Sequence, residues 1–170
     1  MKKILIILAT VIVLLSIAKE DKIIIPKDSI RFRVIANSDS LEDQKIKRKV
    51  VSALKVKIED WYFYNDSLAS TRNKIKKELP TFEEIVEKTL ATTAYNDNYQ
   101  INYGMNYFPR KEYKGVVYEE GNYESLVVTI GDGLGKNFWC VLFPPLCKID
   151  EETEEVEYKS LIKEILNKYL

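Results

Sequence analysis

The sequence of 170 residues contains no histidine and only two cysteines. The absence of histidine excludes the Ser-His-Asp triad, the Cys-His dyad and every zinc site that uses an imidazole ligand. Two cysteines are also too few for a four-thiolate metal site. Composition alone therefore excludes much common catalytic chemistry, and no catalytic residue, metal site or cofactor is predicted.

A surplus of either charge is also missing, since 26 Lys+Arg balance 26 Asp+Glu. A globally basic nucleic-acid-binding protein is therefore not expected. The hydrophobic fraction of 46% argues against a disordered tail, and the charged fraction of 31% argues against a polytopic membrane protein. The length fits a single domain.

The first residues, 1–18, have the pattern of an export signal. Two lysines precede an apolar run from Ile4 to Leu15, and small residues follow at Ser16 and Ala18. The run is shorter than the about 20 apolar residues of a membrane-spanning helix, which favours a secretory signal peptide cut after Ala18. An uncleaved N-terminal membrane anchor is the alternative. Either interpretation places the predicted domain, residues 27–170, outside the cytoplasm.

The rest of the chain changes composition near residue 95. All six glycines lie between Gly104 and Gly135, whereas residues 40–94 contain none. A helix-rich region is therefore followed by a strand-rich region without a flexible linker, which predicts one α+β domain. It would have an N-terminal strand, two to three helices, an antiparallel β region and a C-terminal helix.

Hydrophobic periodicity places the individual elements. Strands are predicted at 30–36, 99–107, 116–118, 126–130 and 138–143, and helices at 39–61, 67–79, 81–90 and 154–169. Asp39 is the predicted N-cap of the first helix, with Glu42 as its reciprocal partner. Pro80 is expected to end the second helix, and Thr81 to begin the third.

The glycines at Gly131, Gly133 and Gly135 resemble a phosphate-binding loop, but a strand follows them instead of the helix that such a loop requires. A flexible hairpin loop is the better interpretation. Its glycines would also allow the backbone of a partner to approach closely.

Cys140 and Cys147 allow three interpretations. An even pair in an exported chain favours a disulfide. A buried pair of free thiols is the second interpretation, and a nucleophilic thiol is the third. The third lacks a histidine to activate the thiol, and the nearest cation in sequence is Lys136.

Two further segments have both a structural and a functional interpretation. The block containing Trp139, Phe143, Pro144 and Pro145 fits a core strand that ends in a rigid turn, and it also fits a rim for partner docking. The first helix carries six cations that fit a solvated face or attraction to anionic lipid headgroups. These are Lys45, Lys47, Arg48, Lys49, Lys55 and Lys57.

Specific strings resemble the stage II sporulation protein R family. They are IRFRVIANSDS at 30–40, YGMNYFPRKEY at 103–113, GNYESL at 121–126 and NFWCVLFPPLC at 137–147. They occur in the order of the family, and the last string is the most specific. The sequence departs from the family at Phe138, where a second tryptophan is typical.

The resemblance implies an exported signalling protein that is not itself a hydrolase. Family members pass from the forespore of Gram-positive bacteria into the space between forespore and mother cell. There they activate a membrane-embedded aspartic protease that processes the precursor of sigma factor E. A secreted enzyme with a cysteine nucleophile that acts on peptide or cell-wall material is the alternative function, and a plain structural module of the envelope is a third.

The predicted partner-binding residues come from four segments of these strings. They are Asn37, Ser38, Asp39, Ser40, Phe108, Pro109, Lys111, Tyr113, Gly131, Gly133, Gly135, Asn137, Trp139, Pro144 and Pro145.

Overall fold

The computed structural model describes residues 22–60, 67–93, 98–149 and 154–169. The predicted signal peptide at 1–18, with its cut after Ala18, lies outside these residues, as does Trp61. No helix in the described ranges has the length and apolar character needed to span a bilayer.

The predicted α+β class is confirmed, and the elements agree with most of the predicted ranges. They are β1 (Ile23–Ile24), β2 (Ile30–Ile35), α1 (Leu41–Glu59), α2 (Leu68–Ala91), β3 (Tyr99–Phe108), β4 (Lys111–Tyr113), β5 (Val116–Tyr118), β6 (Gly121–Ile130), β7 (Asn137–Phe143), a short 3-10 helix (Leu146–Lys148) and α3 (Glu155–Tyr169).

The strands form two mixed sheets. The larger sheet has the order β3-β6-β2-β7, and the smaller has the order β1-β5-β4. β2 is parallel to β6 and antiparallel to β7, so it separates two strands that are consecutive in the chain. The predicted hairpin between β6 and β7 is therefore wrong. The apolar face of β2 is fully buried, which suits a central strand, and the glycine loop passes the end of β2 instead of joining neighbours.

Two hydrophobic cores meet at β7. The main core lies between the larger sheet and the helices α1 and α2, with Phe32, Leu54 and Phe82 fully buried. A second core packs α3 against the smaller sheet and includes Val141 of β7. The next residue of β7, Leu142, belongs to the main core, so one strand supports both cores.

Helix α1 begins one residue later than predicted. The Ser40 hydroxyl, not the Asp39 carboxylate, accepts a hydrogen bond from the Asp43 amide (3.1 Å) and caps the helix. Asp39 instead accepts a hydrogen bond from the backbone N–H of Lys136, 97 residues away. The prediction from local spacing was wrong because a long-range contact uses the Asp39 carboxylate.

Helix α2 is continuous through Pro80, contrary to the predicted stop. The predicted start near Ser67 is confirmed, and the Ser67 hydroxyl caps the helix by accepting a hydrogen bond from the Ser70 amide (3.1 Å). The buried positions Ile75, Phe82 and Val86 form one stripe on both sides of the proline and pack on the same core. Burial of this stripe outweighs the one backbone hydrogen bond that proline removes.

An ion pair links α2 to the sheet. The Arg72 guanidinium donates to both carboxylate oxygens of Glu124 on β6 (Nε to Oε1, 2.8 Å; Nη2 to Oε2, 2.7 Å), and the Tyr103 hydroxyl donates to Oε1 (2.6 Å). These hydrogen bonds, with that of Arg72 the largest, hold the pKa of Glu124 below its ordinary value. The folded state therefore favours the ionised carboxylate.

Substitution Pro80→Ala should stabilise the protein. Alanine restores a backbone donor in a continuous helix, and proline costs up to about 3 kcal/mol relative to alanine in a helix interior. We expect the free energy of unfolding to rise by about 1–2 kcal/mol in urea titrations. Lys77→Ala, at another exposed position of α2, is the control. An unchanged or lower stability of Pro80→Ala would contradict the continuous helix.

Substitution Glu124→Gln should make the free energy of unfolding less dependent on pH. Folding lowers the pKa of Glu124, so the ionised carboxylate contributes fully to the free energy of unfolding above the unfolded pKa of about 4.3. This contribution disappears as the pH falls through the lower pKa of the folded state. The variant should lose about 1 kcal/mol at pH 7 and match the wild type more closely near pH 3. Urea unfolding at both pH values tests this, with the exposed Glu87→Gln as control. A loss of the same size at both pH values would show that ionisation of Glu124 does not contribute.

Candidate functional site

A cleft of about 650 Å³ lies between α1 and the β4–β5 hairpin, with β7 between them. We call it the β7 cleft. It is lined by residues 137–141 of β7, by Lys111–Tyr113 of β4, by the side of α1 that runs from Lys47 to Lys55, and by Arg31.

The cleft follows the outer edge of β7. Successive side chains of a strand point to opposite faces of the sheet. A cleft that touches all of residues 137–141 therefore runs along the backbone edge of this strand. In the described part of the chain β7 pairs with β2 alone, so this edge has no neighbouring strand.

Arg31 lines the cleft from β2, the paired neighbour of β7, and is almost completely buried. Its side chain is on the face of β2 opposite to the main core, and the residue is 2% exposed. The guanidinium stacks on the ring of Tyr123 (3.3 Å to the centroid), and its Nη2 donates to the Glu119 carbonyl (3.2 Å). Its Nε has no hydrogen-bond partner among the described residues. Burial lowers the pKa of Arg31 because it disfavours the charged form.

Arg33, two residues along the same strand face, extends this arrangement. Its guanidinium lies 5.1 Å from the ring centroid of Phe108 and 5.3 Å from that of Trp139. Lys111 approaches the same tryptophan ring from β4 (5.9 Å). Burial also lowers the pKa of Arg33. Cation–π contacts of this kind stabilise a cation at the ring face but leave its formal charge unbalanced.

We call this group the cation–aromatic cluster. It consists of Arg31, Arg33, Phe108, Lys111, Tyr123 and Trp139. None of its three cations forms an ion pair with a carboxylate among the described residues. Partly desolvated positive charge without a counterion is an environment that favours a carboxylate from a ligand.

The walls of the cleft add more positive charge. Lys47, Arg48 and Lys55 line it from α1, and the Lys47 ammonium donates to the backbone carbonyl of Lys136 (3.0 Å). The only carboxylate in the lining belongs to Glu112, which already binds Lys22 (3.0 Å). The described lining is therefore positive overall.

The predicted segments 37–40 and 131–137 come together, but they bind each other. Asn37 accepts hydrogen bonds from the amides of Leu134 (2.9 Å) and Asp132 (3.0 Å). The Gly135 amide donates to the carbonyl of Ala36 (2.9 Å). The side chains of Asn37 and Ser38 also donate to Asp43, and the hydrogen bond from Ser38 is the main reason that the pKa of Asp43 is lowered. These contacts fix the loop against the start of α1.

The two cysteines form a disulfide, with their Cα atoms 5.4 Å apart. Both line the cleft, and the bridge ties β7 to the 3-10 helix. Pro144 and Pro145 lie between them and are buried, whereas Trp139 reaches the cleft. A bridged pair supplies no thiolate, so the described structure does not provide the nucleophile that the alternative enzymatic function requires.

The predicted residues thus divide into two groups. The residues that line the cleft are Phe108, Pro109, Lys111, Tyr113, Asn137 and Trp139, whereas the cap residues at 37–40, the three glycines, Pro144 and Pro145 do not line it. Arg31, Arg33 and Tyr123 were not predicted. The strand IRFRVI carried a usable signal, because two arginines alternating with buried apolar residues must share one face of a strand.

The residues that line the β7 cleft are suited to binding a ligand. They combine an unpaired strand edge, aromatic rings and cations, and the described residues contain no group of three or more Cys, Asp or Glu side chains placed to hold a metal ion. The fold and site therefore define an α+β protein with a positively charged cleft beside an unpaired strand edge, a surface of the kind that suits binding.

Comparison with known proteins identifies the family. The stage II sporulation protein R family model matches residues 26–153. The stage II sporulation protein R of Bacillus subtilis (strain 168) is 36% identical, over an alignment that covers all of this chain and 84% of the relative. No solved structure matches this chain. The chain belongs to the stage II sporulation protein R family.

Gly135→Ala tests the packing of the glycine loop. A Cβ at this position would lie 2.2 Å from the Ser38 carbonyl oxygen, a backbone atom that can move little. We expect a loss of about 1–3 kcal/mol in the free energy of unfolding, the range for overpacked sites. Gly104→Ala is the matched control, since its nearest neighbour would be 3.8 Å away. Equal stability of the two variants would contradict the close approach.

Proposed function

We propose that this protein is an exported sporulation signal that activates the membrane-embedded aspartic protease that processes the precursor of sigma factor E. Membership of the stage II sporulation protein R family supports a role in sporulation. The activating role follows from what the family resemblance implies. The protein would bind the protease on the side of the membrane that faces away from the mother-cell cytoplasm.

The observation that carries the proposal is the β7 cleft with its cation–aromatic cluster. The cluster holds three cations without carboxylate partners in the described structure, beside a strand edge that another chain could pair with. Activation needs only that the ligand bind the active state of the protease more tightly than the inactive state. Contact energy from such a surface is sufficient, and the signal itself breaks no bond.

The disulfide and the N-terminal sequence support export. Disulfides persist mainly in oxidising compartments outside the cytoplasm. The apolar segment at 1–18 would direct the chain there, either cleaved after Ala18 or kept as an anchor. The protein would then act in the space between forespore and mother cell.

Contact with the membrane surface would bring signal and protease together. Lys45, Arg48 and Lys49 are exposed on the outer side of α1, whereas Lys47 is buried. Each cation near an anionic surface contributes about 1 kcal/mol of attraction. This contribution would raise the local concentration without determining which partner is bound.

Reconstitution tests the proposal directly. The purified protein would be added to the outside of vesicles that contain the protease and its precursor substrate, oriented so that their extracytoplasmic sides face outward. We expect faster cleavage of the precursor, measured by gel electrophoresis. Heat-unfolded protein is the control. No stimulation by folded protein at saturating concentration would contradict direct activation.

A further inference from the structure

Two strand edges border the β7 cleft. In the described part of the chain β7 pairs only with β2, and β4 pairs only with β5, so each strand ends its sheet. Residues 137–141 of β7 and all three residues of β4 line the cleft. The edge of a strand presents backbone N–H and C=O groups that a further extended chain can bind. An extended segment in the cleft would therefore find backbone partners on its floor.

The positive charges around these edges favour an acidic ligand. Arg31 is 2% exposed, lines the cleft, and has an Nε without a hydrogen-bond partner among the described residues. Its guanidinium stacks on Tyr123 of β6, on the far side of β2 from β7, so it adds positive charge to the cleft instead of a direct partner for a strand at the β7 edge. Lys111 on the opposite wall also has no carboxylate partner in the described structure.

Both faces of a strand added to β7 would meet positive charge. Side chains of a strand alternate between the two faces of its sheet. One set would meet Lys111, on the same side of the sheet as Arg31, and the other set would meet Arg48 and Lys55, because α1 covers the opposite face. Both sets would therefore meet cations.

We propose that the β7 cleft binds an extended, acidic segment of a protein partner, which adds to β7 as a further strand and places carboxylates beside Lys111 and Lys55. This inference rests on the proposed function, since the segment would belong to the protease. It goes further by naming the surface, the conformation and the charge of what is bound.

Peptide binding tests the inference apart from activation. Short, overlapping, fluorescein-labelled peptides would cover the parts of the protease that lie outside the membrane, and fluorescence anisotropy would measure their binding to the purified protein. We expect at least one acidic peptide to bind. Lys111→Glu and Lys55→Glu should each weaken its binding about tenfold, since each places a like charge beside the ligand.

Lys49→Glu is the matched control, because Lys49 is exposed on α1 but does not line the β7 cleft. It should change the affinity by less than about twofold. Hydrogen exchange gives a second readout, in which the bound peptide should slow exchange of the backbone amides in 137–141. A molecule attracted only by the general charge of α1 would not produce this protection.

The outcomes separate this inference from the proposed function. If no peptide binds at about 1 mM, or if Lys49→Glu weakens binding as much as Lys55→Glu, the cleft is not the site. If the wild type stimulates cleavage in vesicles and both cleft variants stimulate equally well, the function stands and the cleft is excluded. If the wild type fails to stimulate but the peptide pattern is found, the activating role is wrong and the cleft remains a binding site. Self-association that the cleft variants abolish, without peptide binding, would identify a second copy as the occupant and overturn the inference.

Discussion

The insertion of β2 between β6 and β7 is the constraint on which the rest of this structure depends. Because β2 occupies the centre of the sheet, the loop at 131–136 must pass its end and pack against the start of α1. The close approach of Gly135 to Ser38 and the hydrogen bond from Lys136 to Asp39 follow from that path. β7 is thereby left at the edge of the sheet, where it lines the cleft.

The central strand also explains where the positive charge lies. Its apolar face fills the main core, and its opposite face carries Arg31 and Arg33 among aromatic rings. The rings of Tyr123, Phe108 and Trp139 partly replace water around the guanidinium groups. Such stacking costs less than burial in an aliphatic core but provides no negative charge. Neither arginine therefore has a carboxylate partner among the described residues.

The strand that lines the cleft is fixed at its end and on both of its faces. The disulfide between Cys140 and Cys147 ties the end of β7 to the 3-10 helix, and the two hydrophobic cores meet on the same strand. A ligand that pairs with an edge supported in this way loses less free energy to ordering of the protein. Membership of the stage II sporulation protein R family supports a role in sporulation, and the charge and unpaired edge of the cleft suit binding.

Local sequence determined the element types, since the strand of β2, the Ser67 cap and the face of α3 each depend on nearby residues. It did not determine the course of α2 past Pro80, the role of Asp39 or the partners of β2. Each of these depends on residues far apart in the chain, whose burial or hydrogen bonding outweighs a local preference. The sequence by itself therefore established an α+β chain with a family signature and two cysteines able to pair. Only the tertiary structure decided that buried Arg31 and the unpaired strand β7 line one cleft, because strand order and side-chain burial are set by contacts across the whole fold.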